Sequence, residues 1–304
     1  MAQVVAVVGA TATGKSDLGV ALAQALSGEV VNADSMQLYR GMDVGTAKLT
    51  AAERRGVPHH LLDIWPVTRP ASVADYQRLA RAEIDAVRGR GRLPLLVGGS
   101  GLYVRAVLDD LRFPGTDPAL RARLEGELAA AGAPALHARL ARLDPAAAAE
   151  ILPGNGRRIV RALEVLELTG GPFTATLPEQ RPVYDAVRVA VDRDDLDARI
   201  TTRVDRMWER GFVAEVRALL ADGLAGGPTA SRALGYRQIL GALAGPDPVA
   251  GLEQARAETV RATRRFARRQ RSWFRRDPRV VWLDGAAEGL VGDALAAVRR
   301  TLVP

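Results

Sequence analysis

Cysteine is absent from the 304 residues, and lysine nearly so: Lys15 and Lys48 are the only two, and the other forty basic residues are arginine. Without cysteine there is no disulfide, no thiolate zinc ligand and no cysteine nucleophile. Only three histidines are present, and two of them, His59 and His60, are adjacent. On a strand neighbours point to opposite faces, so they do not make a two-histidine metal site, and His137 has no partner in the sequence. Long apolar runs are missing as well. Val4–Val8 is too short to cross a bilayer and lacks the charged start and cleavage site of a signal peptide. A cytoplasmic location with no membrane partner is therefore the expectation, and a monomer is expected as well.

With 48% hydrophobic and 25% charged residues, the composition is that of an ordinary globular chain, long enough for about two domains or one domain with an insertion. Val4–Val8, Glu29–Asn32, Leu61–Ile64, Leu93–Val97, Val187–Val191 and Val280–Leu283 read as strands. Helical spacing connects them over 16–26, 73–87, 196–221, 231–243 and 249–274, with a closing helix after the last strand. This alternation predicts an α/β fold, a P-loop NTPase-like parallel sheet flanked by helices. Residues 114–182 carry only helical patterns, over 117–131, 135–143 and 156–169. They are expected to form an all-helical insertion domain within a core made of residues 1–113 and 183–304.

The first lysine lies in Gly9-Ala10-Thr11-Ala12-Thr13-Gly14-Lys15-Ser16, which matches the G-x-x-x-x-G-K-[ST] phosphate loop between a strand and a helix. Glycines let the backbone amides turn inward, and the helix N-terminus adds its positive end. Lysine supplies a point charge that reaches the terminal phosphates, where the planar fork of arginine would not fit. Ser16 is the candidate Mg²⁺ ligand. Asp34, just past the second strand, comes to the same sheet edge and is a candidate general base. Its other reading is a turn or helix-cap aspartate. Ser100, after Gly98-Gly99, should face the same crevice. A P-loop NTPase carries an aspartate at the end of a core strand; here Leu95-Leu96-Val97 ends in glycines, which argues against nucleotide hydrolysis.

Arg158 and Arg161, with Arg157 beside them, open a helix. Three apart, the pair shares a face that could clamp an anionic leaving group, or form a solvated basic face. The segment from Arg256 to Arg276 holds nine arginines against the single Glu258, more than the whole net charge of +7. As a helix it turns Thr263, Phe266, Ala267, Gln270, Trp273 and Phe274 inward and leaves arginines around the rest, a surface suited to a folded RNA.

Jointly these blocks resemble the tRNA dimethylallyltransferase family, the isopentenyl transferases of tRNA. The likeness runs from Gly9–Ser16 through Asp34-Ser35-Met36-Gln37, Gly41-Met42-Asp43-Val44-Gly45-Thr46-Ala47-Lys48 and Pro58-His59-His60-Leu61-Leu62-Asp63. It continues through Gly98-Gly99-Ser100-Gly101-Leu102-Tyr103 and Arg158–Glu164 to Gly235-Tyr236-Arg237-Gln238 and Thr263–Gln270. Ala10 stands where the family commonly has Pro, and Ser100 where it often has Thr. The resemblance implies transfer of a dimethylallyl group from dimethylallyl diphosphate to N6 of adenosine 37, 3′ of the tRNA anticodon. Asp34, Ser100 and Lys15 would be catalytic; the loop residues Gly9 to Ser16 with Arg158 and Arg161 would bind diphosphate. Asp34, Ser35, Met36, Gln37, Ser100, Arg121, Arg157, Arg158, Arg161, Arg232, Gly235, Tyr236, Arg237, Arg264, Arg268 and Arg269 would meet the tRNA. Lys48 lies in the family's motif, with contact to tRNA or diphosphate as a guess at its duty, and Tyr103 has no assigned role. Three other readings compete: a small-molecule P-loop kinase, a prenyltransferase of free adenine nucleotides, and a non-enzymatic RNA-binding protein with a relic loop.

Overall fold

The computed structural model describes residues 4–173 and 179–302. The chain divides into two compact units, one of residues 1–109 and 182–304, the other of residues 110–181.

The first unit is built on a six-stranded parallel sheet: β1 (Val4–Gly9), β2 (Gly28–Asn32), β3 (His59–His60), β4 (Leu93–Gly98), β5 (Ala186–Asp192) and β6 (Val280–Asp284). The order is β3-β2-β4-β1-β5-β6, with Val5 opposite Leu95 on one side and Val187 on the other. β1 is apolar throughout and buried throughout, as a central strand covered on both faces must be. One face is covered by α2 (Val73–Gly89), α3 (Gly101–Leu108), α8 (Phe212–Ala221), α9 (Tyr236–Leu243) and part of α10 (Pro248–Phe274), around an aromatic core that includes Tyr39, Trp65, Tyr76, Tyr103, Phe212 and Tyr236. The other face packs α1 (Lys15–Ala25) and α11 (Leu290–Leu302) through Leu18, Leu22, Ala294 and Val298. Helix α7 (Leu196–Glu209) packs along α10.

The second unit holds α4 (Pro118–Leu143), α5 (Pro145–Glu150) and α6 (Gly156–Thr169) around its own core of Leu124, Leu140, Ile159 and Leu163. Helix α4 is kinked at Gly132, which divides it much as the expected pair over 117–131 and 135–143. Three helices begin on Asp-Pro: Asp117, Asp144 and Asp247 each accept backbone N–H bonds, and the following proline takes a position where no N–H is needed.

Three expectations are corrected. The edge strand is His59–His60, not Leu61–Ile64, because Leu61 (φ 60°) and Asp63 (φ 58°) turn the chain in left-handed conformations. The helix expected over 196–221 is two, α7 and α8, broken at Gly211 (φ 88°). The helix expected from Ser231 starts only at Tyr236, after Gly235 at φ 84°. Helices α3 and α5 have no counterpart in the sequence reading.

Candidate active site

The carboxyl edge of the sheet gathers the ends of β1, β2 and β4. At the end of β1, Gly9 takes φ 139°, and a Cβ there would stand 2.7 Å from the Val191 carbonyl oxygen. The loop is braced internally by Thr13 Oγ1, which donates to Ala10 O (2.9 Å). Gly14 (φ 96°) then turns the chain into α1. Ala12 takes a left-handed φ of 66°, a strained state for a residue with a Cβ, and is held there by Arg199 Nε donating to its carbonyl at 2.9 Å.

Lys15 is buried, and Nζ donates to Ala10 O at 3.2 Å. Burial, with the neighbouring Arg203 guanidinium acting the same way, lowers its pKa from 10.5 to about 8; the Asp34 carboxylate opposes both. Arg203, from α7, sits over the loop, with Nη1 3.4 Å from Thr11 Oγ1. Burial lowers its pKa as well, against the pull of Asp34 and Asp17.

Asp34 follows β2 in a tight turn. Its N–H donates to Asn32 Oδ1 (2.9 Å), and its own Oδ1 accepts from the Met36 N–H (3.0 Å). Asn32 Nδ2 ties this turn to the Leu61 carbonyl, and the Tyr76 hydroxyl holds the Asn32 carbonyl. Ser100 Oγ accepts the Ser35 N–H at 3.1 Å and lies 3.3 Å from Ser35 Oγ, so its hydroxyl fixes the turn that carries Asp34. The glycines at the end of β4 have a steric cause: a Cβ on Gly98 would stand 2.3 Å from the Ala33 backbone.

A small cavity of about 50 Å³ is lined by Thr11, Lys15, Ser16, Asn32, Asp34, Gln37, Thr46, His59 and Arg203, with Val30, Leu49, Leu62 and Val97 as apolar wall. A wider crevice of about 740 Å³ shares Lys15, Ser16, Leu49 and Arg203, and adds Asp17, Arg199, Arg206 and Arg210. A carboxylate, an ammonium, a guanidinium and a helix N-terminus thus meet at one small space. That is an arrangement for stabilising an anion while a proton moves nearby.

The remaining predicted residues divide by location. Arg121, Arg157, Arg158 and Arg161 belong to the second unit. There Glu164 is buried and accepts from Thr116, Arg161 and Arg121. Burial pushes its pKa up, but those hydrogen bonds outweigh it and hold the carboxyl below its usual range. Arg161 also donates to the carbonyls of Pro114 and Gly115. Arg232 and Arg237 are exposed. Gly235 and Tyr236 are corrected: both are buried, and the Tyr236 hydroxyl donates to Glu215 Oε1 (2.5 Å) while its ring packs edge-on against Phe212. Their part is to build the turn, with no surface left for RNA. The guess for Lys48 is corrected too. Its three N–H groups go to Tyr39 O, Asp43 and Asp63, which leaves none for a ligand. Tyr103 packs on Tyr76 with centroids 4.6 Å apart, and is a core residue.

Along α10 the arginines are less free than their number suggests. Arg256 pairs with Asp205, Arg261 and Arg265 with Glu258, and Arg271 and Arg275 with Asp192. Arg264 donates to the Asp197 carbonyl and Thr201. Among the described residues Arg268, Arg269 and Arg276 are exposed without a carboxylate partner, and Arg269 lies over the Phe266 ring.

Sequence reasoning missed Arg203 and Arg199. Their signal was the spacing Arg199, Arg203, Arg206, Arg210, one helical face, but nothing in the sequence says that this face overlooks the loop. It also missed His59, whose Nδ1 lies 2.9 Å from the Val57 carbonyl and whose pKa burial lowers.

The profile of the IPP transferase family matches residues 37–277. A tRNA dimethylallyltransferase of Salinispora arenicola is 72% identical over 97% of this chain and 86% of its own. Among solved structures, the full-length tRNA isopentenylpyrophosphate transferase of Bacillus halodurans aligns with a TM-score of 0.73 at 40% identity, covering 99% of this chain and 97% of its own. A eukaryotic dimethylallyltransferase acting on tRNA shares the fold, with a TM-score of 0.83 at 24% identity over 99% of this chain and 79% of its own.

Proposed function

The chain belongs to the IPP transferase family, and from that premise we propose that it transfers a dimethylallyl group from dimethylallyl diphosphate to N6 of adenosine 37 in tRNA, releasing diphosphate. The observation that carries this reading is the small cavity that holds Asp34 together with Lys15, Ser16 and Arg203. Leaving group and acceptor need opposite help in this reaction. As the allylic C–O bond breaks, negative charge grows on the diphosphate. The loop amides, Lys15 and Arg203 meet it in a buried site where such interactions are strong. The exocyclic amine of adenine is a weak nucleophile, and Asp34 takes its proton as the C–N bond forms. Asp34 suits this role because one carboxylate oxygen is anchored by the Met36 amide, which fixes the direction of the other. The adenine must leave its stack to bring N6 to Asp34 at the rim of this cavity.

Magnesium fits the residues present. Ser16 offers one hard oxygen at the loop, and among the described residues no cluster of three His, Asp or Glu forms a cage. That suits an ion held mainly by substrate phosphates and water. When bound, it would supply further neutralisation of the leaving diphosphate.

The exposed arginines of α10 are the proposed meeting place for the RNA backbone, and Arg157 and Arg158 its counterpart in the second unit. No described helix is long and apolar enough to cross a membrane; a monomer acting in the cytoplasm is the reading that suits a tRNA substrate. The deciding assay incubates the protein with labelled dimethylallyl diphosphate, Mg²⁺ and unmodified tRNA, with AMP and ATP in parallel. Label in tRNA alone is expected. Label in AMP alone would reassign the acceptor, and ATP turnover without prenyl transfer would restore the kinase reading.

A further inference from the structure

Gln270 joins two parts of the site that lie far apart in sequence. Its Oε1 accepts the Thr11 N–H at 2.9 Å, and its Nε2 donates to the Gly99 carbonyl at 2.8 Å. Thr11 lies in the phosphate loop; Gly99 directly follows β4, and the next residue, Ser100, holds the turn of Asp34. The side chain is buried, and it fills the space a Cβ on Gly99 would need, with Nε2 2.4 Å from that position. One turn earlier on the same helix, Ala267 packs in a small cluster with Ala10 and Ala12 of the loop. One turn later, the Trp273 ring closes on Gly101 at 2.2 Å from a built Cβ. Helix α10 thus meets the phosphate loop and the Gly99–Gly101 segment with one residue per turn, and of these three it is Gln270 that hydrogen-bonds to the loop.

The bond to Thr11 also changes what the loop can do. That amide is committed to Gln270, so the phosphate cradle consists of the amides beyond it. The Thr11 hydroxyl, fixed by the same backbone, stays within reach of Arg203. Two residues before Gln270 and one before it, Arg268 and Arg269 stand exposed, Arg268 on the side of the helix away from Gln270 and Arg269 at its flank. A rigid helix therefore carries a phosphate-facing surface outside and a loop-holding amide inside.

We propose that Gln270 is a positioning residue that couples RNA binding on α10 to diphosphate binding in the loop, an inference that rests, for the RNA side, on the function proposed above. Each ligand biases the setting of the same helix, and linkage makes the effect reciprocal. Gln270 itself touches neither the reacting carbon nor the amine.

The test is equilibrium binding of inorganic diphosphate, with Mg²⁺, to wild type and to Gln270→Met, each with and without unmodified tRNA. Methionine keeps the length of the side chain and removes both hydrogen bonds. In wild type, tRNA is expected to shift the diphosphate dissociation constant by about fivefold. In Gln270→Met that ratio falls to near one, diphosphate alone binds about tenfold more weakly, and tRNA affinity is kept. In turnover, the KM for dimethylallyl diphosphate should rise while kcat at saturation changes little, a split that general loss of structure does not produce. Gln270→Glu serves as the second variant, because it keeps the acceptor for Thr11 but loses the donor to Gly99; it too should abolish the coupling. An equal ratio in wild type and both variants, or a wild type without coupling, overturns the proposal. A wild type that binds diphosphate but no tRNA overturns the RNA reading instead, and the hold of Gln270 on the loop is then decided by the variants' affinity for diphosphate alone.

Discussion

The Nζ of Lys48 lies 2.5 Å from Oδ1 of Asp63, and this contact ties together two turns that wall the small cavity. Asp63 and Ala47, next to Lys48, both sit at positive φ (58° and 49°), as does Leu61. The same ammonium meets Asp43 and the Tyr39 carbonyl, so one buried charge holds three loop segments. A second charge works beside it: Glu215 accepts the consecutive N–H groups of Asp43, Val44 and Gly45.

Replacing Lys48 should therefore act through these turns. Lys48→Met leaves two partly exposed carboxylates facing each other and three acceptors short of a donor. A loss of about 1–2 kcal/mol is expected, at the low end for a buried ion because Asp43 and Asp63 are solvent-screened. Urea unfolding measures it. Lys48→Arg should not restore stability, since a planar fork cannot reproduce three converging contacts. Full stability in Lys48→Met would show that the turns hold themselves.

Lys15 gives the site a pH limit. Its ammonium is held down to about pH 8 from 10.5. A basic group with a lowered folded pKa costs stability while it is charged. In the free protein that cost is complete below about pH 8 and disappears as pH rises towards 10.5, so stability should climb over this window. Binding of diphosphate runs the other way, because the anion needs the charged form. The profile of kcat/KM for dimethylallyl diphosphate should descend with a pKa of about 8, and Lys15→Met should lack that limb. A limb that persists in Lys15→Met would assign it to another group.

Asp34 and Arg203 pull Lys15 in opposite directions, so substitutions at the two should move that limb oppositely. Asp34→Asn removes the charge that raises the Lys15 pKa and should shift the limb below 8. Arg203→Met removes a charge that lowers it and should shift the limb up. The two also differ in kinetics. Asp34→Asn should lower kcat by about 10³-fold with tRNA affinity kept, whereas Arg203→Met should mainly raise the KM for the diphosphate. Shifts of the same sign in both would break the electrostatic account.

What the sequence could say about this site follows from where its information is local. The phosphate loop is a contiguous pattern whose spacing fixes its geometry, and Asp34 follows an apolar strand by two residues. Both are legible for that reason, as is the alternation that makes a parallel sheet. Arg203 and Gln270 are different. Each lay on a helical face that periodicity could mark as inward or shared, but the identity of the facing element depends on strand order and crossing, which no local spacing encodes. Tyr236 misled in the opposite sense: it stands in a motif with two exposed arginines near it, yet its hydroxyl is committed to Glu215 in the core. The break at Gly211 and the late start of α9 after Gly235 are hidden in the sequence because the apolar spacing on either side of each glycine stays in phase.

The arginines of α10 supply the last prediction, because the structure separates those that hold carboxylates from those that face solvent. Arg268→Ala with Arg269→Ala removes two exposed cations with no carboxylate partner. The slope of log affinity for tRNA against log salt should become shallower by about 1.5, near 0.7–0.9 per lost phosphate contact. Arg261→Ala with Arg265→Ala is the control. These two both serve Glu258, so their removal also frees a carboxylate and should change the slope far less. Filter binding at several salt concentrations distinguishes the pairs. Equal slopes in the two double variants would mean that the helix acts by its total charge rather than through the arginines it leaves unpaired.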